Sequence, residues 1–415
     1  MPAKFPATWP GLRLTAEIWS HWVRQRRLVR QGFIALGIST VVGMAAGIVL
    51  GAMEDLLARL PGLLVLVPAA IGMRGAIFGA LAARLGTGIL TGQLDGFRRG
   101  SFGAHNLEAS ILLTFFSSAV AALAARGVAG AFGLETISLL ELMVVSVVGG
   151  VLSSAVILFG VVLLASNAQR RGWDMDSIGA PLVTTAGDIV TLPALVLATL
   201  LLDVPFLPQV LGWLLLLVAA ASVWRGLKTP ALLTRSVVRE SLAVLTYAAV
   251  VDILAGGILE TRVEALVSSP ALLVLIPPFI ANCGSLGGIL SARLGSELHL
   301  GMIEPRRIPQ KLAVFEGTIT ALFSILAFAG VGLIAHVSGL VFGFDSPGLL
   351  SMIGIALAGG ALAFFLLFGV AYSTAAAAFR FGWDPDNHGI PIVTATMDLL
   401  GVLCLVAAMA MFSAI

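Results

Sequence analysis

Residues 61–86, PGLLVLVPAAIGMRGAIFGALAARLG, occur a second time further along the chain. Residues 270–295 read PALLVLIPPFIANCGSLGGILSARLG and match the first stretch without a gap at 14 of 26 positions. A second pair of segments, GWDMDSIGAPLVTTAGD at 172–188 and GWDPDNHGIPIVTATMD at 382–398, matches at 9 of 17 positions. Because each half of the chain holds both segments in the same order, the sequence predicts an internal duplication.

The repeated segments lie in an unusually apolar chain. Of its 415 residues 59% are hydrophobic and 11% are charged, and the mean hydropathy is +1.04. The apolar runs are each about 20 residues or longer, which is the length that crosses about 30 Å of hydrocarbon. This composition predicts an all-α integral membrane protein that is surrounded by the lipid bilayer. The net charge of +2 argues against a nucleic-acid partner, which calls for a concentrated basic face.

The apolar runs predict about eleven transmembrane helices, five in each half and one between the halves. The predicted spans are 32–53, 61–83, 108–132, 137–165, 179–202, 207–224, 241–259, 270–292, 312–335, 349–377 and 389–414. Because the extra span restores the orientation of the second copy, the two repeats are predicted to be parallel, with a pseudo-twofold axis along the membrane normal. The predicted division is a basic cytoplasmic segment at 1–30, a first repeat at 31–203, a linker helix at 204–230 and a second repeat at 231–415.

Basic residues fall in alternate connections between the spans. They occupy the N-terminus, Arg84 to Arg99, Arg170 and Arg171, Arg225 to Arg239, Arg293 to Lys311, and Arg380. Positive loops remain in the cytoplasm, so we predict a multi-pass protein of the cell membrane with its N-terminus inside and its C-terminus outside. Because one chain contains both halves of a pseudo-dimer, we expect it to be a monomer.

Two aspartates at equivalent repeat positions are the strongest candidates for chemistry. Asp188 and Asp398 each lie about nine residues into their spans, or about 13 Å along a helix and close to the bilayer midplane. A carboxylate at this depth costs about 2.5 to 3.5 kcal/mol, so it needs a partner, water or a cation. Thr184 and Thr394 precede the aspartates by four residues and share their helix faces.

These four oxygen-bearing side chains predict a metal site for a hard cation. Mg²⁺ retains several waters and takes one or two carboxylates, which suits so sparse a site. We therefore expect Mg²⁺ as the transported ion and no bound cofactor. The alternative is that the aspartates only form hydrogen bonds with neighbouring helices.

Proline and glycine mark the first repeated segment as a second candidate for the wall of an ion path. Pro68 and Pro277 lie inside apolar runs and are followed by Gly75 and Gly284. Proline frees a backbone carbonyl, so these spans are predicted to be interrupted helices that line a cavity. Close helix packing through small residues explains the glycines equally well.

Other acidic residues lie near the predicted ends of the spans. Glu54 and Glu260 follow similar Gly-containing segments at the outer side and are predicted to concentrate cations at a mouth. Asp176 and Asp386 precede the spans that hold the membrane aspartates and are candidates for an inner vestibule. Ordinary loop positions and helix caps are the alternatives for these four residues. Arg84 and Arg293 are interpreted as interfacial anchors at the cytoplasmic face.

Several of these residues form recognisable motifs. Asp384-Pro385-Asp386-Asn387 with a downstream membrane aspartate resembles signatures of the MgtE-like magnesium transporters, in the duplicated form of solute carrier family 41. Residues 83–86 and 292–295, ARLG in both copies, are similar to that family's Ser-Arg-(Leu/Ile)-Ser. The resemblance implies a five-plus-one-plus-five arrangement and divalent cation passage between the halves. It also implies Asp188 and Asp398 as the main carboxylate ligands.

The chain departs from the family pattern in two places that bear on ion identity. Gly75-Ala76 and Gly284-Ser285 stand where the family usually has Gly-Asn, and Met397 replaces the usual glycine before the second aspartate. Transport of Co²⁺, Ni²⁺ or Na⁺ would retain the same fold and aspartates. An intramembrane aspartyl protease is disfavoured because neither aspartate follows Gly-x-Gly. A scaffold without transport leaves the midplane carboxylates unexplained.

Overall fold

The computed structural model describes residues 20, 22–23, 26–171, 175–306, 308–382 and 389–414. Within these ranges the regular structure is helical, without a strand. Eleven helices are long and apolar enough to cross a membrane, which confirms the predicted all-α membrane protein and its number of spans in the described part of the chain.

Thirteen α-helices follow one another in the described residues. They are α1 (Arg26–Gly51), α2 (Glu54–Arg59), α3 (Leu63–Leu90), α4 (Phe102–Phe132), α5 (Leu139–Arg171), α6 (Met175–Thr199), α7 (Leu207–Lys228), α8 (Leu232–Glu260), α9 (Val263–Ser268), α10 (Pro270–His299), α11 (Lys311–Phe342), α12 (Leu349–Phe381) and α13 (Ile390–Met411). The short helices α2 and α9 do not span. The six helices α1–α6 and the six helices α8–α13 show the same succession of long and short helices, and α7 lies between the two sets. The domain boundaries and the parallel repeat axis stay predictions.

Several helices extend beyond the hydrophobic segments that hydropathy marks. The predicted span 61–83 belongs to α3, which continues to Leu90, and the predicted span 241–259 belongs to α8, which begins at Leu232. Hydropathy detects the apolar part of a helix, whereas backbone hydrogen bonds continue into polar surroundings wherever the sequence permits. The extensions carry charged residues, so the helices project past the predicted hydrocarbon layer.

The two helices that carry the first repeated segment, α3 and α10, are continuous. Pro68 lies inside α3, and Pro277 and Pro278 lie inside α10. The prediction of interrupted helices was therefore wrong. Each proline removes one backbone donor, but the side chains around it are buried against other helices, including Leu66 and Leu275. This packing holds the helix together across the missing hydrogen bond.

The first helix of each half packs against the opposite half. Helix α1 contacts α10 and α11, whereas α8 contacts α3 and α4. A Cβ at Gly47 of α1 would lie 2.1 Å from the Val274 carbonyl oxygen, and a Cβ at Gly256 of α8 would lie 2.2 Å from the Val65 carbonyl oxygen. Glycine is therefore required at both crossings. Because α1 packs on the second half and α8 packs on the first half, helices from both halves meet at the centre of the molecule.

The same contacts set the repeat register of the first helices. Because Val65 and Val274 are equivalent in the duplicated segment, Gly47 corresponds to Gly256. This register pairs Glu260 with a glycine of the first half, not with Glu54. The two glutamates therefore occupy different positions of the repeat, although both follow a Gly-containing segment.

Glu260 lies at the end of α8 and holds the beginning of α3. Its side chain is buried, and Oε1 accepts a hydrogen bond of 2.7 Å from the Gly62 backbone amide. Gly62 is the N-cap residue of α3 and offers no side chain of its own. The carboxylate thus satisfies a free donor of a helix in the opposite half. A role of Glu260 or of half-buried Glu54 at a cation mouth stays a prediction.

Replacement of Glu260 by alanine is expected to lower the free energy of unfolding by about 1–3 kcal/mol, because the buried Gly62 amide loses its acceptor. Thermal unfolding of the purified protein in detergent measures this change. Glu264→Ala is the matched control, since Glu264 is exposed and its loss should cost less than about 1 kcal/mol. Equal melting temperatures of the two variants would contradict the role of Glu260 as the cap of α3.

The arginines predicted as interfacial anchors instead make specific contacts between helices. The Arg84 Nε donates a 2.8 Å hydrogen bond to Asn106 Oδ1. Arg293 forms an ion pair with Glu316, whose side chain is fully buried. The anchor interpretation was wrong for Arg293, because its own side chain is only 13% exposed. Each arginine joins the third and fourth helices of its half, α3 to α4 and α10 to α11.

Candidate cation site

The predicted aspartates lie on the last spanning helix of each half. Asp188 of α6 and Asp398 of α13 are both half-buried, as are Thr184 and Thr394 one turn earlier. Helix α6 packs against α3 and α5, and α13 packs against α10 and α12. Each aspartate is therefore placed in the interior of the helix bundle and not on its lipid-facing surface.

Asp398 reaches both halves of the protein. A Cβ at Gly284 of α10 would lie 3.4 Å from Asp398 Oδ1, and a Cβ at Gly72 of α3 would lie 3.7 Å from Asp398 Oδ2. The absence of side chains at these two glycines leaves the space that the carboxylate occupies. Asp398 thus lies where the two halves of the chain meet.

A third carboxylate, Asp252 of α8, lies beside Asp398. The same Cβ at Gly72 would be 2.5 Å from Asp252 Oδ2, and the carboxyl groups of Asp252 and Asp398 are within hydrogen-bonding distance of each other. Asp252 is 1% exposed, and its Oδ1 has no hydrogen-bond partner among the described residues. Two acidic groups are therefore in contact in the interior of the membrane region.

Asp252 was not among the predicted site residues, because comparison of the repeats reveals only residues that recur in both halves. In the register of the first helices Asp252 corresponds to Gly43, so no carboxylate recurs there. A signal was nonetheless available. An aspartate inside the apolar run 241–259 is by itself a candidate for function, since an ionisable group in a membrane span is costly to retain.

Asp188 is within electrostatic range of Asp398, whereas Asp252 is within hydrogen-bonding distance of it. The three carboxyl groups come from α6, α8 and α13. Among the described residues, no ion pair includes any of them. No three His, Cys, Asp or Glu side chains in the described ranges are close enough together to hold one ion. The arrangement thus offers a close pair and a separate third carboxylate.

The predicted glycines differ in what they contact. A Cβ at Gly75 would lie 3.1 Å from Thr184 Cγ2, so this glycine faces the threonine of the first half. Gly284 faces Asp398 and Thr394 of the second half. For Asp176 the structure describes only the helical backbone, and Asp386 lies outside the described residues. Their vestibule role stays a prediction.

Arg74 adds a buried positive charge to the first half. Its side chain is 1% exposed, and Nη2 donates a 2.8 Å hydrogen bond to Ser118 Oγ. A Cβ at Gly150 would lie 2.6 Å from the same nitrogen, so the guanidinium points towards α4 and α5. In the second half the corresponding residue is Cys283, a neutral thiol. The charge of the interior therefore differs between the halves.

Comparison with known proteins identifies the family. The sequence profile of the MgtE family, described as a divalent cation transporter, matches residues 67–198 and 276–408, which together make up more than half of the chain. The chain belongs to this family. The MgtE profile matches once in each half, and both matched regions contain one of the membrane aspartates, Asp188 or Asp398.

Several vertebrate proteins are similar to most of this MgtE-family chain. Solute carrier family 41 member 2 of Homo sapiens is 26% identical over 402 residues, which cover 90% of this chain and 68% of the relative. The proteins of the same name from Xenopus laevis and Gallus gallus are each 25% identical, over 408 and 403 residues, again with 90% of this chain covered and 69% and 68% of the relatives. No match was found among solved structures.

The family assignment confirms the resemblance to MgtE-like proteins and to solute carrier family 41. The MgtE-family chain is a multi-pass membrane transporter of divalent cations and not an enzyme. The alternative of an intramembrane aspartyl protease is therefore not supported. The identity of the ion and the residues that line its path are not given by the family assignment.

Replacement of Gly72 by alanine is expected to reduce cation flux through the MgtE-family chain by about tenfold, because the new methyl group must displace Asp252 Oδ2. Flux into liposomes measures the effect. Gly130→Ala is the control, since nothing lies within 4 Å of its added Cβ. Wild-type flux in Gly72→Ala would show that the carboxylate position beside α3 does not matter.

Proposed function

We propose that the chain transports Mg²⁺ along a path between its two halves, with Asp188 and Asp398 as carboxylates on that path. The observation that carries this proposal is the position of Asp398, whose two oxygens face Gly284 in one half and Gly72 in the other. Asp188 lies within electrostatic range of it. A cation that passes between the halves would meet both acidic groups.

The ligand chemistry supports a hard divalent cation. The proposed ligands are the carboxylate oxygens of Asp188 and Asp398 and the hydroxyl oxygens of Thr184 and Thr394, all four of which are half-buried. Mg²⁺ is bound by one or two carboxylates and retains water at its remaining positions. A site with few protein oxygens leaves coordination positions for that water.

Co²⁺ and Ni²⁺ remain a second candidate because of one thiol. Cys283 of α10 is buried and lies within electrostatic range of Asp398. Softer ligands favour transition metals over Mg²⁺. Cys283→Ser separates the two candidates, since it should leave Mg²⁺ flux unchanged and reduce any flux of Co²⁺ or Ni²⁺.

Reconstitution into liposomes that contain a Mg²⁺-sensitive dye tests the proposal. Wild type is compared with the double variant Asp188→Asn/Asp398→Asn, with Ca²⁺, Mn²⁺, Co²⁺, Ni²⁺ and Na⁺ as competitors. Asp55→Asn/Glu264→Gln is the matched control, because it removes two exposed carboxylates and leaves the interior unchanged. We expect Mg²⁺ influx in wild type and in the control, and none in the double variant.

Two results would overturn the proposal. Absence of Mg²⁺ flux under any gradient would remove the ion assignment, and equal flux in the double variant would remove the aspartates from the path. The proposed setting is the cell membrane, with the N-terminus in the cytoplasm, the C-terminus outside and one chain as the working unit. Labelling of cysteines introduced at the two termini with an impermeant reagent tests that orientation.

A further inference from the structure

We infer that Asp252 and Asp398 together form one asymmetric binding site for a divalent cation, and that Asp188 is a separate carboxylate further along the path. The inference rests on the proposed function, because it concerns the same ion. It adds a ligand from α8, a helix that the pairing of Asp188 with Asp398 leaves out. It also predicts that only one of the two pseudo-equivalent positions binds the ion tightly.

The first argument is the contact between the two carboxyl groups. The Oδ2 atoms of Asp252 and Asp398 both lie within 4 Å of the Cβ position at Gly72, and the groups are within hydrogen-bonding distance of each other. Two adjacent carboxylates repel each other strongly in surroundings of low dielectric constant. In the described residues neither has a basic partner in an ion pair. A divalent cation between them would neutralise both charges.

The second argument is the free oxygen of Asp252. Its Oδ1 is buried and has no hydrogen-bond partner among the described residues, although buried polar atoms are nearly always satisfied. A bound cation, directly or through one of its waters, would supply the missing partner. Two carboxylates and retained water are the ligands that Mg²⁺ prefers.

The third argument is that the first half has no room for the same pair. Asp252 corresponds to Gly43, where an added Cβ would lie 2.7 Å from the Pro278 Cα. A backbone atom cannot move aside as a side chain can, so an aspartate does not fit there. Arg74 also gives the first half a fixed positive charge, whereas Cys283 is its counterpart in the second half. Both differences favour cation binding beside Asp398.

Equilibrium binding separates the pair from Asp188. Titration calorimetry with Mg²⁺ and electron paramagnetic resonance with Mn²⁺ are performed on the purified full chain in detergent. We expect one tightly bound ion per chain in wild type. We expect Asp252→Asn to weaken binding by about 100-fold, and Asp188→Asn to weaken it by less than about tenfold, because the latter carboxylate is further from the ion. Asp55→Asn is the control for an exposed aspartate.

Flux measurements on the same variants complete the test. Asp252→Asn should weaken both binding and flux, whereas Asp188→Asn should reduce flux by about tenfold and retain most of the binding. Asp252→Glu, which retains the charge, should recover part of the binding and shows that any loss in Asp252→Asn is not a failure to fold. Size-exclusion profiles and melting curves of the variants check folding independently.

The outcomes distinguish this inference from the proposed function. Wild-type binding and flux in Asp252→Asn, together with loss in Asp398→Asn, would overturn the asymmetric site and leave Mg²⁺ transport standing. Equal loss of binding in Asp188→Asn and Asp252→Asn would overturn the asymmetry. Tight binding without Mg²⁺ flux in wild type would contradict the transport proposal, while the binding site itself would be supported.

Discussion

Asp398→Asn is expected to reduce divalent cation flux by at least about 100-fold, the largest effect of any single change in the interior. Two unit charges 4 Å apart interact by about 4 kcal/mol at an effective dielectric constant of 20, and about 1.4 kcal/mol corresponds to a factor of ten. Asp398 is the carboxylate that contacts both halves, through Gly72 and Gly284, and it also contacts Asp252. Asparagine retains its shape and removes the charge.

The measurement is initial influx into dye-loaded liposomes at equal protein content. Asp188→Asn serves as the comparison within the path, and we expect it to reduce flux by about tenfold because Asp188 lies further from the close pair. Asp95→Asn, an exposed aspartate between α3 and α4, is the control for the chemical change. Flux in Asp398→Asn within threefold of wild type would exclude the carboxylate from the transport mechanism.

Arg293→Met is expected to lower the free energy of unfolding by about 3–5 kcal/mol, which is the usual cost when one partner of a buried ion pair is removed. Arg293 pairs with Glu316, and Glu297 lies within electrostatic range of both. Without the arginine, the carboxylates of Glu297 and Glu316 would lose the positive charge that lies beside them. Glu316→Gln should cost less, because Arg293 can then interact with Glu297 one turn further along α10.

Thermal melting in detergent compares these variants with an exposed pair. Glu108 accepts two hydrogen bonds from Arg225, but the Arg225 side chain is 71% exposed, so Glu108→Gln should cost less than about 1 kcal/mol. The double variant Arg293→Met/Glu316→Leu should recover most of the lost stability, since it removes both buried charges. Equal melting temperatures of Arg293→Met and Glu108→Gln would contradict the claim that the buried ion pair contributes more to stability than the exposed one.

The repeat and the hydropathy allowed much of the fold to be predicted. Eleven spans follow from the lengths of apolar runs, and the described structure has a spanning helix at each of them. The predicted effect of Pro68 and Pro277 was wrong because proline propensity is a local property. Whether the helix breaks depends on its packing, and α3 and α10 are surrounded by buried apolar side chains. Helix ends were missed for a related reason, since hydrogen bonding continues beyond the apolar segment.

The candidate site could be predicted only in part. Comparison of the two halves identifies Asp188 and Asp398, because both aspartates occupy the same position of the duplicated segment inside an apolar span. The same comparison hides Asp252, which faces Gly43 in the repeat register. It also gives no sign that Glu260 of α8 accepts a hydrogen bond at the beginning of α3. Symmetry identifies shared features and overlooks those that one half has alone.

The sequence by itself determined that the chain lies in a lipid bilayer, how many times it spans the bilayer, that it is duplicated, and that two aspartates recur. These properties depend on composition and on the spacing of residues along the chain. The tertiary structure alone decided that α1 and α8 exchange between the halves. That exchange depends on glycines that fit against backbone carbonyls about 200 residues away, at Gly47 and Gly256. No periodicity within a segment encodes such a contact. It brings Asp252 against Gly72 and Asp398, and so makes the pair of carboxylates at the centre of the molecule.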